Sequence, residues 1–334
     1  MKRPVAIVGA ATLACFGAAG GLLGWSLRRP SDVPHEVVFE VSRGERLGAV
    51  ARGLEEAGVI RSAVSFQLLA RTTGRGDALR AGEYALSPSL AADEVLERLA
   101  SGGVMSHRVV LPEGLTMREI AVRFEAAGLV STPEFLAVAS DPTLPLRLGV
   151  DGTTLEGYLF PETYELARGL APREIVRLMV EQFLSMWRRI EPLAAKKALS
   201  MREVVVLASL VEKETGAHEE RPLVAAVFLN RLARGMRLET DPAVIYGIAD
   251  FDGNLRRVHL EDEDNPYNTY RFVGLPPGPI ANPGEASLRA VVEPAEAEYL
   301  FFVARKDGTH HFSRSYGEHV RAVDRYQRGG RDER

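Results

Sequence analysis

The chain has 334 residues, room for two or three domains and a sizeable buried core. A formal net charge of −4 and 26% charged residues describe an ordinary soluble surface; scattered Lys and Arg, with 7% aromatics, form no basic stripe or stacking platform and so exclude a nucleic-acid binder. The single cysteine, Cys15, excludes a disulfide framework and a cysteine metal site.

From Val5 to Leu27 no residue is charged, and Lys2-Arg3 and Arg28-Arg29 flank the stretch. At about 1.5 Å per residue it reaches roughly 34 Å, enough to span a bilayer. A signal peptide usually has a shorter apolar core, so residues 1–30 are expected to be a cytoplasmic tip and an uncleaved anchor, with cleavage as the alternative. Thr12-Leu13-Ala14 makes a poor lipobox for Cys15. The flanking charges do not set the orientation.

Two segments then share one pattern, VSRGERLGAVARGLEEAGVI (Val41–Ile60) and LPEGLTMREIAVRFEAAGLV (Leu111–Val130). Gly44, Leu47, Val50, Ala51, Leu54 and Gly58 align with Gly114, Met117, Ile120, Ala121, Phe124 and Gly128. Each reads as a strand (Val37–Val41; His107–Leu111), a glycine turn and an amphipathic helix ending at glycine. A strand at Gly82–Leu86 and a helix from Ala91 follow the first copy. Residues 31–106 resemble LysM modules, which would imply binding of N-acetylated glycans; the alternative is a small α+β packing unit without a ligand. Residues 107–150 are the second repeat and linker, and 151–334 a mixed α+β domain.

LEGYLFPETYEL (Leu155–Leu166) sets Tyr158, Phe160 and Tyr164 among three glutamates, around a proline that breaks any helix. It suits a core-lining strand and turn, or a carbohydrate cleft. In LSMREVVVLASLVEKETG (Leu199–Gly216), Ser200 and Glu203 form a capping box and Gly216 marks the end, which predicts a helix of about four turns. At 100° per residue Leu207, Leu210, Val211 and Glu214 share a face, whereas Glu212 turns toward Ser209 and Lys213 and is expected in solvent. Glu214 is either an acid held against the core, with a raised pKa and a proton to donate, or part of a frayed turn that reaches water. The spacing does not choose between them.

In HEERPLVAAVFLNRLARG, Pro222 and Gly235 bracket a helix whose apolar stripe Asn230 continues, which suggests a buried hydrogen-bonding role. Asp241 reads as a helix N-cap. The loop Glu261–Gly284 is long and rich in Pro, Gly and Asn; its Asn268-Thr269-Tyr270 offers the chemistry an acetamido sugar would meet. Glu261–Asp264 lacks calcium-loop spacing, and His310, His311 and His319 fit no zinc signature, so no metal is expected and these histidines read as sheet and surface residues.

LEGYLFPETYEL, ASLVEKETG, FLNRLARGMRLETDPAVIYGI, YNTYRFVGLPPGPIANPG and YLFFVARKDGTHHFSRSYGEH, in this order, resemble the endolytic murein transglycosylases, the MltG or YceG-like family, over nearly the whole chain. The resemblance implies an α+β fold behind a single membrane anchor, LysM-like part included, and a catalytic domain on the periplasmic side of the cytoplasmic membrane. It implies non-hydrolytic cleavage of the MurNAc-β-1,4-GlcNAc bond in nascent peptidoglycan, leaving 1,6-anhydromuramyl ends, without a cofactor. The family's acid maps to Glu214, before Thr215, and Glu156, Tyr246, Asn268 and Tyr270 are implied as cleft residues. Penicillin-binding proteins or other cell-wall synthases are the implied partners. A non-catalytic peptidoglycan-binding scaffold and a water-using muramidase, for which Glu156 is the candidate partner acid, are the alternatives.

Overall fold

The computed structural model describes residues 20–328, and the chain divides into two compact units. One holds the chain up to Arg108 together with Glu165–Leu170; the other holds Val109–Tyr164 and everything from Ala171 onward. Among the described residues no helix is long and apolar enough to cross a membrane. Most of the expected anchor, Val5–Leu27, lies outside the described residues, and its described part is helical over 20–26.

The first unit runs β1 (Val37–Val41), α1 (Leu47–Glu56), α2 (Ala63–Thr72), β2 (Gly82–Leu86) and α3 (Ala92–Ser101). β1 and β2 pair antiparallel, with Val37 opposite Leu86 and Val41 opposite Gly82. Val50, Leu54, Phe66, Tyr84, Leu96 and Leu99 fill its core. Glu83 is buried in this unit: His107 Nε2 lies 2.7 Å and Arg168 Nη1 2.6 Å from its carboxylate. Burial pushes its pKa up, but the bonds and charges of His107 and Arg168 outweigh that and leave it below 4.5.

The chain passes out of this unit in β3 (Ser106–Val110) and back in β4 (Thr163–Ala167). Between them lie α4 (Met117–Ala126), α5 (Thr132–Ala139) and α6 (Leu144–Arg147). The internal repeat is legible in the backbone. Gly44 and Gly114 have φ of 77° and 79°, Gly58 and Gly128 have 69° and 67°, and each pair brackets a helix of 10 residues. The buried sets correspond as well, Val50, Ala51 and Leu54 against Ile120, Ala121 and Phe124. Positive φ is where glycine alone is unstrained, so the two copies share their turn chemistry as well as their periodicity. Of residues 107–150, set apart on sequence as repeat and linker, those from Val109 onward pack in the same unit as the region that follows.

The rest of the second unit is α7 (Pro172–Lys196), α8 (Met201–Glu214), a 3-10 turn at His218–Glu220, α9 (Arg221–Ala233), α10 (Asp241–Tyr246), α11 (Arg257–Glu261), α12 (Glu285–Val292), β5 (Phe301–Ala304), β6 (His310–Ser313) and α13 (Tyr316–Tyr326). α8 starts at the expected capping box: Ser200 Oγ accepts from Glu203 N, and the Glu203 carboxylate accepts from Ser200 N at 2.8 Å. Every residue from Val204 to Val211 is buried, because α7, α9, α10 and α12 all pack on this helix. A helix enclosed on every side has no solvent face. The expectation that Glu212 faces solvent is therefore corrected. Its side chain is 5% exposed and lies 2.9 Å from Arg221, itself 5% exposed, and it accepts from Gly284 N at 3.0 Å.

Candidate active site

Glu214 is the last residue of α8, and Thr215 leaves the helix in an extended conformation. The turn points the carboxyl into a cavity of about 390 Å³ whose walls come from four parts of the second unit. Arg231 on α9, Glu239 and Asp241 before and at the start of α10, Tyr270 in the long loop, and the β5–β6 hairpin with α13 surround it. Burial pushes the Glu214 carboxyl up to about 7. The Thr240 hydroxyl, Arg231 and His310 pull it back, and the Asp241 charge adds to the rise. Thr240 Oγ1 is buried and has no other hydrogen-bond partner among the described residues. An acid in this setting holds its proton near neutrality and can deliver it to a leaving oxygen.

The walls are braced by hydrogen bonds. Tyr270 Oη donates to Asp241 Oδ1 at 2.7 Å, which occupies one carboxylate oxygen and orients the other. Arg231, buried, donates to the carbonyls of Leu300 and Leu238 at 2.7 Å each and reaches Glu239 at 3.3 Å. Glu239 has φ of 52°, a left-handed conformation that costs a side-chain-bearing residue about 1 kcal/mol or more. On β6, His310 Nδ1 lies 2.6 Å from Glu220 Oε2.

The implied cleft residues divide three ways. Tyr270 lines the Glu214 cavity. Glu156, 3% exposed, forms a separate buried cluster: it accepts from Met117 N at 3.0 Å, Asn282 Nδ2 at 2.8 Å and Tyr246 Oη at 3.1 Å. Burial raises its pKa to about 7 against those bonds. Tyr246 is thus a ligand of Glu156, and neither residue lines the Glu214 cavity. Asn268, 0% exposed, corrects the expectation of a sugar-facing amide. Its Nδ2 donates to the carbonyls of His259, Leu260 and Asp262, and its Oδ1 accepts from Tyr270 N, so it pins the loop behind Tyr270. Asn230 donates to Ala297 O and Tyr299 O, the buried bracing its stripe suggested.

Arg231, Glu239 and His310 escaped the sequence reading as members of this site. Arg231 follows Asn230 on the same helix, and a buried arginine one residue beyond an apolar stripe was the available signal. His310 had none, since its partner Glu220 is 90 positions away. Among the described residues no three His, Cys, Asp or Glu side chains converge as a metal-ligand set.

One buried acid at a helix end, facing a polar cavity walled by carboxylates, an arginine, a tyrosine and a histidine, defines a site suited to acid–base work on a polar polymer. The chain belongs to the YceG-like family, whose sequence pattern matches residues 39–325. It is 31% identical over 323 residues to an endolytic murein transglycosylase of Bacillus subtilis (strain 168), covering 91% of this chain and 89% of that one. It is 28% identical to an endolytic murein transglycosylase of Streptococcus pneumoniae serotype 2, covering 92% of this chain and 62% of that protein's length. The crystal structure of a yceG-like protein from Listeria monocytogenes aligns with a TM-score of 0.60 at 29% identity, over 87% of this chain and all of that one.

Proposed function

We propose that this protein is an endolytic murein transglycosylase that cuts the glycan strands of peptidoglycan without water, with Glu214 as its acid and then its base. The observation that carries the reading is the place of Glu214 at the end of α8, lining a polar cavity with Arg231, Asp241 and Tyr270, where burial raises its carboxyl to about 7. The relatives carrying the transglycosylase name support the reaction type.

Protonated Glu214 gives its proton to the glycosidic oxygen as the bond to the anomeric carbon breaks. The substrate's own acetamido oxygen stabilises the charge that develops there, which removes the need for a second protein carboxylate. Glu214, now ionised, takes the proton from the C6 hydroxyl, and that oxygen closes the 1,6-anhydro ring. Protons balance over the cycle, and no water is consumed.

A hydrolytic muramidase is the second reading, and one observation favours weighing it: Asp241 shares the Glu214 cavity and could serve as partner acid, a part that Glu156, in its separate cluster, does not fit. Purified protein incubated with uncrosslinked glycan strands separates the readings by mass spectrometry of product ends. Anhydromuramyl ends that disappear in Glu214→Gln, with the fold retained, are expected. Reducing ends would identify the muramidase, and binding without cleavage a scaffold.

The remaining parts of the proposal concern the first unit and the N-terminus. The uncharged stretch Val5–Leu27 supports a single-pass anchor in the cytoplasmic membrane, with the Glu214 unit on the outer side. The strand–helix–helix–strand order of β1, α1, α2 and β2 supports a LysM-like hold on the glycan. Cell-wall synthases that make nascent strands are the partners such an enzyme would work beside.

A further inference from the structure

We propose that His310 is a second substrate-contacting group of the Glu214 cavity, its ring fixed by Glu220 so that Nε2 is turned to the sugar. The inference rests on the reading of that cavity as the glycan site.

Three observations carry it. Glu220 holds His310 twice: Oε1 accepts from the His310 backbone N–H at 2.8 Å, and Oε2 lies 2.6 Å from Nδ1. The two side chains are 9% and 12% exposed, so water does not loosen the arrangement. A carboxylate only accepts, which places a ring hydrogen on Nδ1 and leaves Nε2 free to pair with the sugar. Second, His310 lines the cavity, while no protein group among the described residues bonds Nε2 and that nitrogen is not sealed from solvent. Phe302 meets the imidazole edge-on at 5.5 Å and limits its rotation. Third, Thr215 Oγ1 lies 3.3 Å from the same Glu220 oxygen. One carboxylate thus fixes the residue after Glu214 and the histidine of β6 together.

The cavity's other polar groups explain why a free ring nitrogen matters there. Tyr270 gives its hydrogen to Asp241, and Arg231 is engaged with two carbonyls and Glu239. A hydroxyl or acetamido group of a sugar beside Glu214 meets Nε2, a strong discriminator because leaving that nitrogen unpaired on binding is costly. Glu220 acts through His310 and is a positioning residue.

The test uses two substitutions that split the ring's functions in the full-length protein. In His310→Asn the amide nitrogen stands near Nδ1 and keeps the Glu220 bond but not Nε2; in His310→Gln the amide reaches the Nε2 position. Kinetics are read as anhydro ends formed from uncrosslinked glycan strands. Binding is read separately, as the affinity of a muropeptide-derived tetrasaccharide for Glu214→Gln protein with and without each change. The proposal expects Asn to lose about 10-fold more than Gln in kcat/KM and in affinity, at equal thermal stability. Losses that follow stability, with Asn better than Gln, would show a purely structural histidine and overturn it. If the wild type cleaves no strand, the transglycosylase reading fails, and the binding comparison still decides whether Nε2 touches the sugar.

Discussion

At the scale of single residues, the two glutamates of Glu-Lys-Glu are both buried, and what separates them is their partner. Glu212 sits against Arg221, while Glu214 has a cavity and a hydroxyl in front of it. Their substitutions therefore fail differently. Glu214→Gln is expected to leave the fold intact and lower cleavage on the order of 10²–10⁴-fold, as loss of a general acid–base does. Glu212→Gln takes from the buried Arg221 the nearer of its two carboxylates, leaving Glu113 at 3.5 Å, and is expected to cost about 2 kcal/mol in a urea titration, with activity lost only as folded protein is lost. A stable but inactive Glu212→Gln would contradict this. Because the donor must be protonated, cleavage is expected to fall about tenfold per pH unit above about 7, and a rate that climbs through that point would count against Glu214 as the acid. The place of Glu214 at the helix end was legible from the capping box and the glycine that follow one another in sequence. The burial of Glu212 was not. Helical periodicity separates faces only when one of them is wet, and Arg221 reaches back to Glu212 from beyond an intervening 3-10 turn.

At the scale of elements, the long loop 261–284 is polar and rich in turn formers, and it brings Tyr270 to the cavity. It is tied down by its own asparagines. Asn282 Oδ1 accepts from Gly157 N and Leu159 N at 2.9 Å each, and its Nδ2 donates to Leu115 O and Glu156. Local sequence could not show this, since Gly157 is 125 positions away. The same junction explains Gly157, whose φ is 88° and where an added Cβ would lie 2.6 Å from Pro279 and 2.7 Å from Val205 of α8. Gly157→Ala is expected to destabilise by about 3 kcal/mol, through a strained dihedral and pressure on that central helix. A melting temperature unchanged from wild type would refute that account. The repeat was legible for the opposite reason: its glycines and apolar positions are all local, and both copies close their turns with the same backbone conformation.

At the scale of the whole molecule, the buried carboxylates Glu156 and Glu214 of one unit and Glu83 of the other answer pH in opposite directions. Glu156 and Glu214 are raised from 4.5 to about 7, so their contribution to the second unit is fully present below 4.5 and is lost as pH rises through 7, roughly 3 kcal/mol at most for each group. Glu83, lowered by its His107 and Arg168 partners, stabilises the first unit above 4.5 and stops doing so as acid protonates it. Trp187, buried on α7 and stacked on Phe183, reports the second unit, and Trp25→Phe would leave it the sole tryptophan. Its urea midpoint is expected to drop between pH 4.5 and 7, with part of the drop removed by Glu156→Gln; a rising midpoint would refute the assignment. The cavity wall has one more consequence, which concerns the order of synthesis. Its last parts are the β5–β6 hairpin, Val323 of α13 and Gln327 just beyond that helix, and His310 must come back to Glu220 across 90 positions. Ribosomes release chains from the N-terminus, and such distant contacts close late. A half-made chain therefore carries Glu214 on a helix with no cavity to work in, and the wall around that acid is complete only once the chain has been made through α13.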